Sequence, residues 1–199
     1  IDKMCQMISI PALAPVNGGK GEGARADFLQ GLLEDFDEIR RIDVPDDNDS
    51  SVLRSNLLAV KKGKKKGTVW IIGHMDTVPA GNLDDWTHDP FKGTVVGDRI
   101  YGRGTEDNGQ AVISALFASK QFPRGTLEGK SLGVAFVADE ETSNTKGIIH
   151  LIEQGCFSQE DIFIVPDWGS PGGSMVDVAE KDLIWLKFEV IGKSTHGST

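Results

Sequence analysis

Cysteine is scarce in this sequence, and the two that occur lie far apart. They are Cys5 and Cys156 among 199 residues, and no Cys-x-x-Cys motif is present. Small secreted domains that depend on disulfides carry more cysteines at closer spacing. The scarcity argues against a disulfide scaffold and favours a reducing compartment, for which we expect the cytoplasm, although the two thiols could still pair.

Positive charge is also in short supply. The chain has 21 Lys and Arg against 30 Asp and Glu, which gives a formal net charge of −9. An acidic chain repels the phosphate backbone, so we expect no nucleic-acid partner. The surplus carboxylates could be solvated surface groups or metal ligands, and composition does not separate the two.

Long apolar runs are missing as well. No run reaches the roughly 20 residues that span a bilayer, and no basic segment followed by an apolar one opens the chain. We therefore expect no membrane segment, and a signal ahead of Ile1 would not be visible in this sequence. Hydrophobic residues still make up 39% of the chain, enough for a sizeable core.

Short apolar segments alternate with segments of helical spacing. The spacing predicts helices at 24–39, 108–120 and 145–155, and strands at 55–60, 68–73, 131–139, 161–167 and within 91–101. A loop is predicted at 44–51, a hairpin tip of solvated lysines at 61–67, and two alternating strands from 173 onward. Strands that alternate with helices predict an α/β fold, with a mostly parallel mixed sheet covered by helices.

Acidic and imidazole side chains follow the predicted strands where each strand ends. The residues concerned are His74, Asp76, Asp139, Glu140, Glu141 and Asp167, and Asp107 precedes a predicted helix. Ligands of open α/β sheets bind beyond the carboxyl ends of the strands. These side chains are therefore expected to converge at one edge of the sheet.

Each residue taken alone has a simpler explanation. A His-x-Asp pair is often an ordinary hydrogen-bonded pair, and Asp107 could cap the helix that follows it. Glu140 and Glu141 could form a solvated turn, and Asp167 could be a turn residue after a proline. Together, these explanations do not account for acids that cluster at strand ends and avoid strand middles.

The residue types predict a metal centre. One imidazole and several carboxylates, without thiolates, suit zinc, and also manganese or cobalt. Two metal ions held close together need a shared carboxylate, and such a pair activates water and polarises a carbonyl.

Five motifs in order carry a resemblance to a known family. They are GHMDTVP, YGRGTEDNG, DEET, VPD and GKSTHGS. The set resembles the co-catalytic zinc metallopeptidases, which include aminoacylase, acetylornithine deacetylase, succinyl-diaminopimelate desuccinylase, carboxypeptidase G and several di- and tripeptidases. The resemblance implies a zinc-exopeptidase-like fold, two zinc ions, and a substrate that is an N-acyl amino acid or a short peptide.

The resemblance also implies residue roles. His74, Asp107, Glu141 and Asp167 resemble the family's metal ligands, with Asp107 bridging the two ions. Asp76 resembles the acid that orients the imidazole, and Glu140 resembles the general base. His196 resembles a histidine of a second domain that stabilises the oxyanion, often across a homodimer interface.

Two features depart from the family. Asn108 follows the bridging Asp107 where many members have an acidic residue or a lysine, and the sequence stops at Thr199 although members are nearly twice as long. We expect a catalytic domain at 1–178 whose C-terminal part is missing, and the first strand of a lid or dimerisation domain at 179–199. The family's last histidine ligand is then expected beyond Thr199, and the isolated chain is expected to be inactive or weakly active.

Two other functions remain open at this point. A two-metal phosphoesterase uses similar ligands, although such sites are commonly richer in histidine. A non-enzymatic binding protein could keep the fold and lose the metals. The choice between deacylase and peptidase is not encoded in these residues.

Overall fold

A computed structural model describes residues 1–170, 172–179, 186, 188, 189 and 192. Residues 1–168 form one compact unit, and a second unit begins at Gly169. The helices of the first unit are α1 (Asp2–Ile8), α2 (Gly23–Gln30), α3 (Ala111–Ser119) and α4 (Ile148–Glu153). Its strands are β1 (Glu38–Pro45), β2 (Leu53–Lys61), β3 (Thr68–His74), β4 (Thr94–Val96), β5 (Arg99–Tyr101), β6 (Ser131–Val137) and β7 (Ile162–Ile164).

Five strands form one mixed sheet in the order β1-β2-β6-β3-β7. Strand β3 pairs in parallel with both β6 and β7, whereas β2 pairs antiparallel with β1 and with β6. Strands β4 and β5 form a separate hairpin, as the Gly97-Asp98 dipeptide predicts. The predicted α/β fold with a mixed sheet flanked by helices is confirmed, but two of the four strand pairings are parallel, so the sheet is not mostly parallel as predicted.

Both faces of the large sheet are covered, which explains why strands β3 and β6 are largely apolar. Alternate residues of a strand point to opposite faces. Leu57 and Phe136 pack with residues of α1, α2 and α3 on one face, while Leu58 and Val137 pack with Leu151 of α4 on the other. Strand ends are therefore the places where polar side chains can leave these two cores.

The predicted hairpin between β2 and β3 is wrong, because β6 lies between them. Nor is Lys61 a solvated lysine at a tip. It ends β2 fully buried, and its Nζ lies 2.5 Å from Asp35 Oδ2 and donates to the carbonyls of Ser119 (3.0 Å) and Phe122 (2.9 Å). A run of lysines in the sequence does not show that one of them has three oxygen partners.

Several predicted boundaries also shift. The predicted helix 24–39 ends at Gln30, and its last residue, Ile39, belongs to β1, where it pairs with Ala59. Pairing with β2 outweighs the helical spacing there. Residues 173–179 contain no strand, and the remainder of the predicted strand pair, like the predicted domain from 179, lies almost wholly outside the described residues.

The described part of the chain contains no helix with both the length and the apolar composition that crossing a bilayer requires.

Candidate metal centre

The residues predicted to converge lie beyond the carboxyl ends of the three parallel strands. His74 is the last residue of β3 and pairs with Val137, the last residue of β6, so these strands end level. Glu140 and Glu141 follow β6, and Asp167 follows β7. An irregular helical turn, Thr105–Gln110, leads into α3 and supplies Asp107.

Three side chains form a group that could hold a metal ion: His74, Asp107 and Asp167. One ligand atom from each lies within 4.8 Å of the others. His74 Nε2 is 2.8 Å from Asp107 Oδ1 and 3.8 Å from Asp167 Oδ1. The side chain of His74 is 2% exposed and that of Asp107 is 61% exposed, so the group is anchored on one side and open on the other.

Asp107 does not cap α3. Its backbone is non-helical, and the residue preceding that helix is Gln110, which makes no side-chain cap. The alternative reading of Asp107 as a helix cap is therefore wrong, and its carboxylate faces His74 instead.

Asp76 holds the His74 ring from behind. His74 Nδ1 is 3.1 Å from the Asp76 carbonyl oxygen and 3.5 Å from Asp76 Oδ1. A proton on Nδ1 is satisfied by these oxygens, so in the neutral imidazole Nε2 carries the lone pair that could bind a metal ion.

The carboxylate of Asp76 makes a second set of contacts that the sequence did not predict. The backbone N–H groups of Glu140 and Glu141 donate to its two oxygens, at 3.1 and 3.0 Å. Asp76 is fully buried. One carboxylate thus fixes the position of the imidazole and of both glutamates.

Asn108 is a site residue that the sequence analysis missed. Its Oδ1 accepts the backbone N–H of His74 at 3.2 Å, and its Nδ2 donates to the carboxylate of Asp167. Gln110 ties the same two segments together by donating to the Pro166 carbonyl at 2.7 Å. The sequence offered one hint, namely that position 108 departs from the family pattern.

The charges of the group are unbalanced in the protein alone. Burial would lower the pKa of His74, but the hydrogen bond to Asp76 and the charges of Asp76, Glu140 and Asp167 outweigh it and raise that pKa to about 9. Burial, with the charge of Asp107, raises the pKa of Glu141 to about 7. Burial also raises the pKa of Glu140. A cation bound among these groups would relieve the repulsion between them.

The donor set fits a divalent metal. Zinc binds imidazole nitrogen and carboxylate oxygen at about 2.0–2.2 Å, so two ligand atoms on one ion lie about 3–4 Å apart. The separation of 3.8 Å lies in this range, and that of 2.8 Å is slightly below it. A cavity of about 280 Å³ adjoins the group; its lining includes His74, Glu140, Asp167, Ile72, Val137 and Ile148.

His196 lies outside the described residues, so its predicted role stays a prediction. The structure brings together the other six candidates: His74, Asp76, Asp107, Glu140, Glu141 and Asp167.

Comparison with known proteins finds relatives over the whole chain. An uncharacterized metallohydrolase of Methanococcus maripaludis is 36% identical over 208 residues, which cover 100% of this chain and 50% of that protein. A probable succinyl-diaminopimelate desuccinylase of Staphylococcus aureus is 33% identical over 151 residues, covering 73% of this chain and 35% of that protein. This chain thus spans half the length of the archaeal relative and about a third of the bacterial one.

A solved structure shows the same fold. Human carnosine dipeptidase 1 matches with a TM-score of 0.63 and 26% identity over 82% of this chain and 37% of that one. The sequence model of peptidase family M20/M25/M40 matches residues 70–180, which is more than half of the chain and includes every described candidate residue. Because this model covers more than half of the chain and the archaeal relative is 36% identical over all of it, the chain belongs to peptidase family M20/M25/M40.

Proposed function

We propose that the protein is a metal-dependent hydrolase that cleaves the amide bond of a small N-acyl amino acid or a short peptide, with two zinc ions at its active site. The observation that carries the proposal is the convergence of one imidazole and five carboxylates, contributed by the ends of β3, β6 and β7 and by the turn ahead of α3. Family membership and the names of the relatives support the same reaction class.

His74, Asp107 and Asp167 would hold one ion. Asp107 and Glu141 would contribute to the second ion, for which the family resemblance implies a further histidine ligand. When bound, divalent ions polarise the scissile carbonyl and lower the pKa of water. Zinc is the proposed metal because the ligands are nitrogen and oxygen; cobalt and manganese could replace it.

Glu140 is the proposed general base. Its Oε2 lies 3.8 Å from His74 Nε2, next to the proposed ligands without being among them. Burial raises the pKa of Glu140, and a base works best when its pKa is near the working pH. Glu140 would accept a proton from water at its carboxylate and pass that proton to the leaving amine.

The proposed substrate class rests on the names of two similar proteins. One relative is named a desuccinylase and one structural neighbour a dipeptidase. Both names describe hydrolysis of small acylated or peptide substrates, and we extend that class to this protein.

His196 is the proposed oxyanion-stabilising residue, contributed across the interface of a homodimer.

The test measures metal content and hydrolysis on the intact protein. Elemental analysis after dialysis should find two zinc ions per chain, and an Asp107→Ala variant should lose most of both. Assays should use an N-acetyl amino acid, an N-succinyl amino acid, a dipeptide and a phosphate monoester. Cleavage of amides alone supports the proposal, whereas cleavage of the phosphate ester alone would indicate a phosphoesterase.

Glu140→Gln separates the proposed base from the metal ligands. This variant should retain its zinc and lose about 10²–10⁴-fold in kcat, the usual contribution of a general base. Glu153→Gln, an exposed glutamate at the end of α4, is the matched control and should leave both unchanged. A Glu140→Gln variant with unaltered kcat would refute the assigned base, and absence of metal and activity in the unsubstituted protein would indicate a binding protein.

A further inference from the structure

A cluster of buried charges lies behind the candidate metal centre. Its centre is Arg54, near the start of β2, whose side chain is 2% exposed. We propose that Arg54 is a positioning residue for the metal centre: it holds Asp76 and the turn after β6 in place, and these in turn place Glu140 and Glu141. Arg54 precedes residue 70, where the family match begins, so that match assigns it no role.

The guanidinium of Arg54 contacts four carboxylates. Its Nε donates to both oxygens of Glu22 at 3.0 Å, and its Nη2 donates to Glu22 Oε1 at 2.6 Å. Its Nη1 lies between Asp46 Oδ2 at 3.0 Å and Asp139 Oδ1 at 3.1 Å. Its Nη2 is also 3.8 Å from Asp76 Oδ2. All four acids are buried.

Two of these four acids adjoin the candidate site directly. Asp76 Oδ2, the oxygen nearest Arg54, is the one that accepts the backbone N–H of Glu141. Asp139 precedes Glu140 and has a positive φ of 65°, a backbone conformation that non-glycine residues rarely adopt. Arg54 therefore acts on this turn at two points: at the Asp76 oxygen that accepts the Glu141 N–H, and at Asp139, the residue before Glu140.

Asp139 also organises the turn that follows. Its carboxylate accepts hydrogen bonds from the hydroxyls of Thr142 and Ser143 and from the backbone N–H of Lys146 at 2.9 Å. Its carbonyl accepts the N–H groups of Ser143 (3.1 Å) and Asn144 (2.7 Å). Loss of the Arg54 contact would leave a buried carboxylate without its cation, and a buried charge of that kind moves towards water.

A second buried cation supports the same region without replacing Arg54. Arg25 of α2 donates to the carbonyls of Ile10 (2.7 and 3.0 Å) and Met75 (2.6 Å), and among the described residues it donates to no carboxylate. It therefore secures the backbone between His74 and Asp76. The placement of the two glutamates falls to Arg54.

The chain offers a matched control on the same strand. Lys61, at the other end of β2, is also a fully buried cation with oxygen partners, but these are Asp35, Ser119 and Phe122, away from the site. Arg54→Met and Lys61→Met each remove one buried charge from β2. A merely structural role predicts the same consequences for both, whereas a positioning role predicts changes at 139–146 for Arg54 alone.

The first readout needs neither metal nor activity. Amide hydrogen exchange of the metal-free intact protein is followed by mass spectrometry over peptides that cover 139–146. Exchange should accelerate about tenfold in Arg54→Met and less in Arg54→Lys, which keeps the charge but not the planar fork, and should stay unchanged in Lys61→Met. The double variant Arg54→Met/Glu22→Gln removes one surplus acid and serves if the single variant does not fold.

The second readout is zinc affinity, and this part of the inference rests on the proposed function. Zinc should bind about tenfold more weakly to Arg54→Met, and within about twofold of normal to Lys61→Met. Unchanged exchange at 139–146 in Arg54→Met, or in the double variant where Arg54→Met does not fold, would overturn the inference, as would equal acceleration in Lys61→Met. Absence of zinc binding by the unsubstituted protein would refute the proposed function, while the exchange result would still decide the role of Arg54.

Discussion

The side-chain amide of Asn108 donates a hydrogen bond to the carboxylate of Asp167. This bond joins the turn ahead of α3 to the segment after β7, two parts of the chain that share no strand pairing. The oxygen of the same amide group accepts the backbone N–H of His74. One buried side chain therefore links two candidate metal ligands, His74 and Asp167.

Asn108→Ala should weaken metal binding more than it weakens the fold. The change frees the Asp167 carboxylate and leaves the His74 N–H unpaired, and loss of such supporting contacts commonly costs about 10–100-fold in metal affinity. The free energy of unfolding should fall by about 1–3 kcal/mol for the unpaired buried groups. Titration calorimetry with zinc measures the first and chemical denaturation the second. Asn82→Ala, at an exposed turn, is the control; an Asn108→Ala variant that binds zinc as the control does would contradict the linking role.

Asp76→Asn should disturb the site through the backbone of Glu140 and Glu141. An amide offers one oxygen where two N–H groups now find two, so one of them loses its acceptor. Asp161→Asn provides a matched comparison, because Asp161 also accepts two backbone N–H groups, from Thr68 (2.7 Å) and Ser158 (2.9 Å), away from the site. Both variants should lose stability, but only Asp76→Asn should lose zinc affinity and kcat. Equal zinc affinity in the two variants would argue against the prediction.

Stability should depend on pH in opposite directions with and without metal. In the metal-free protein the pKa of His74 is raised from 6.5 to about 9, so its stabilising contribution is present below pH 6.5 and is lost as the pH rises through 9. The pKa of Glu141 is raised from 4.5 to about 7, so its ionisation penalises the folded state over that range as the pH rises. Zinc competes with protons for the same atoms, so the stabilisation that zinc adds should grow as the pH rises.

Melting temperatures from pH 6 to 9, with chelator and with zinc, check this dependence. His74→Gln should flatten the metal-free curve above pH 7 and remove most of the zinc effect. If the melting temperature of metal-free His74→Gln falls with pH as steeply as that of the unsubstituted protein, His74 is not the source of the pH dependence.

Gly73→Ala should displace the side-chain amide of Asn108. A Cβ at residue 73 would lie 2.8 Å from Asn108 Oδ1 and 3.1 Å from Val112 Cγ2, so the amide must move. We expect an overpacking cost of about 1–3 kcal/mol in the free energy of unfolding. Weaker zinc binding should accompany it, as measured by calorimetry. Gly129→Ala, where a Cβ meets nothing within 4 Å, is the control, and matching zinc affinities in the two variants would contradict the prediction.

Much of the fold could be predicted from local patterns. Buried strands such as β3 and β6 are continuous apolar runs, and their ends are marked by a change to polar residues. The order of strands in the sheet could not be predicted in this way. Val134 of β6 pairs with Ala59 on one side and with Ile71 on the other, and these partners are distant in sequence. The lysine run after β2 resembles the turn of a hairpin, which led to the wrong prediction.

The site divides along a similar line. The side chains proposed to carry out the chemistry mostly follow strand ends, where a change from apolar to polar residues can be recognised in the sequence. Six of the seven candidates lie in the described region. The groups that hold them, such as Asn108 and Arg54, come from positions whose neighbours in sequence give no sign of their partners. Arg54 and Asp139 are 85 residues apart, and only the folded chain joins them.

The antiparallel direction of β2 gives strand register a chemical meaning. The parallel strands have their last residues at the edge of the sheet that carries the site, whereas β2 has its first residues there. Arg54 therefore lies near the beginning of its strand, while acids such as Asp76 and Asp139 follow the ends of theirs. A slip of one residue between β2 and β6 would turn Arg54 to the opposite face of the sheet. The four buried carboxylates would then lose the cation that they share, so a sheet with β2 out of register is penalised by the charges behind the candidate metal centre.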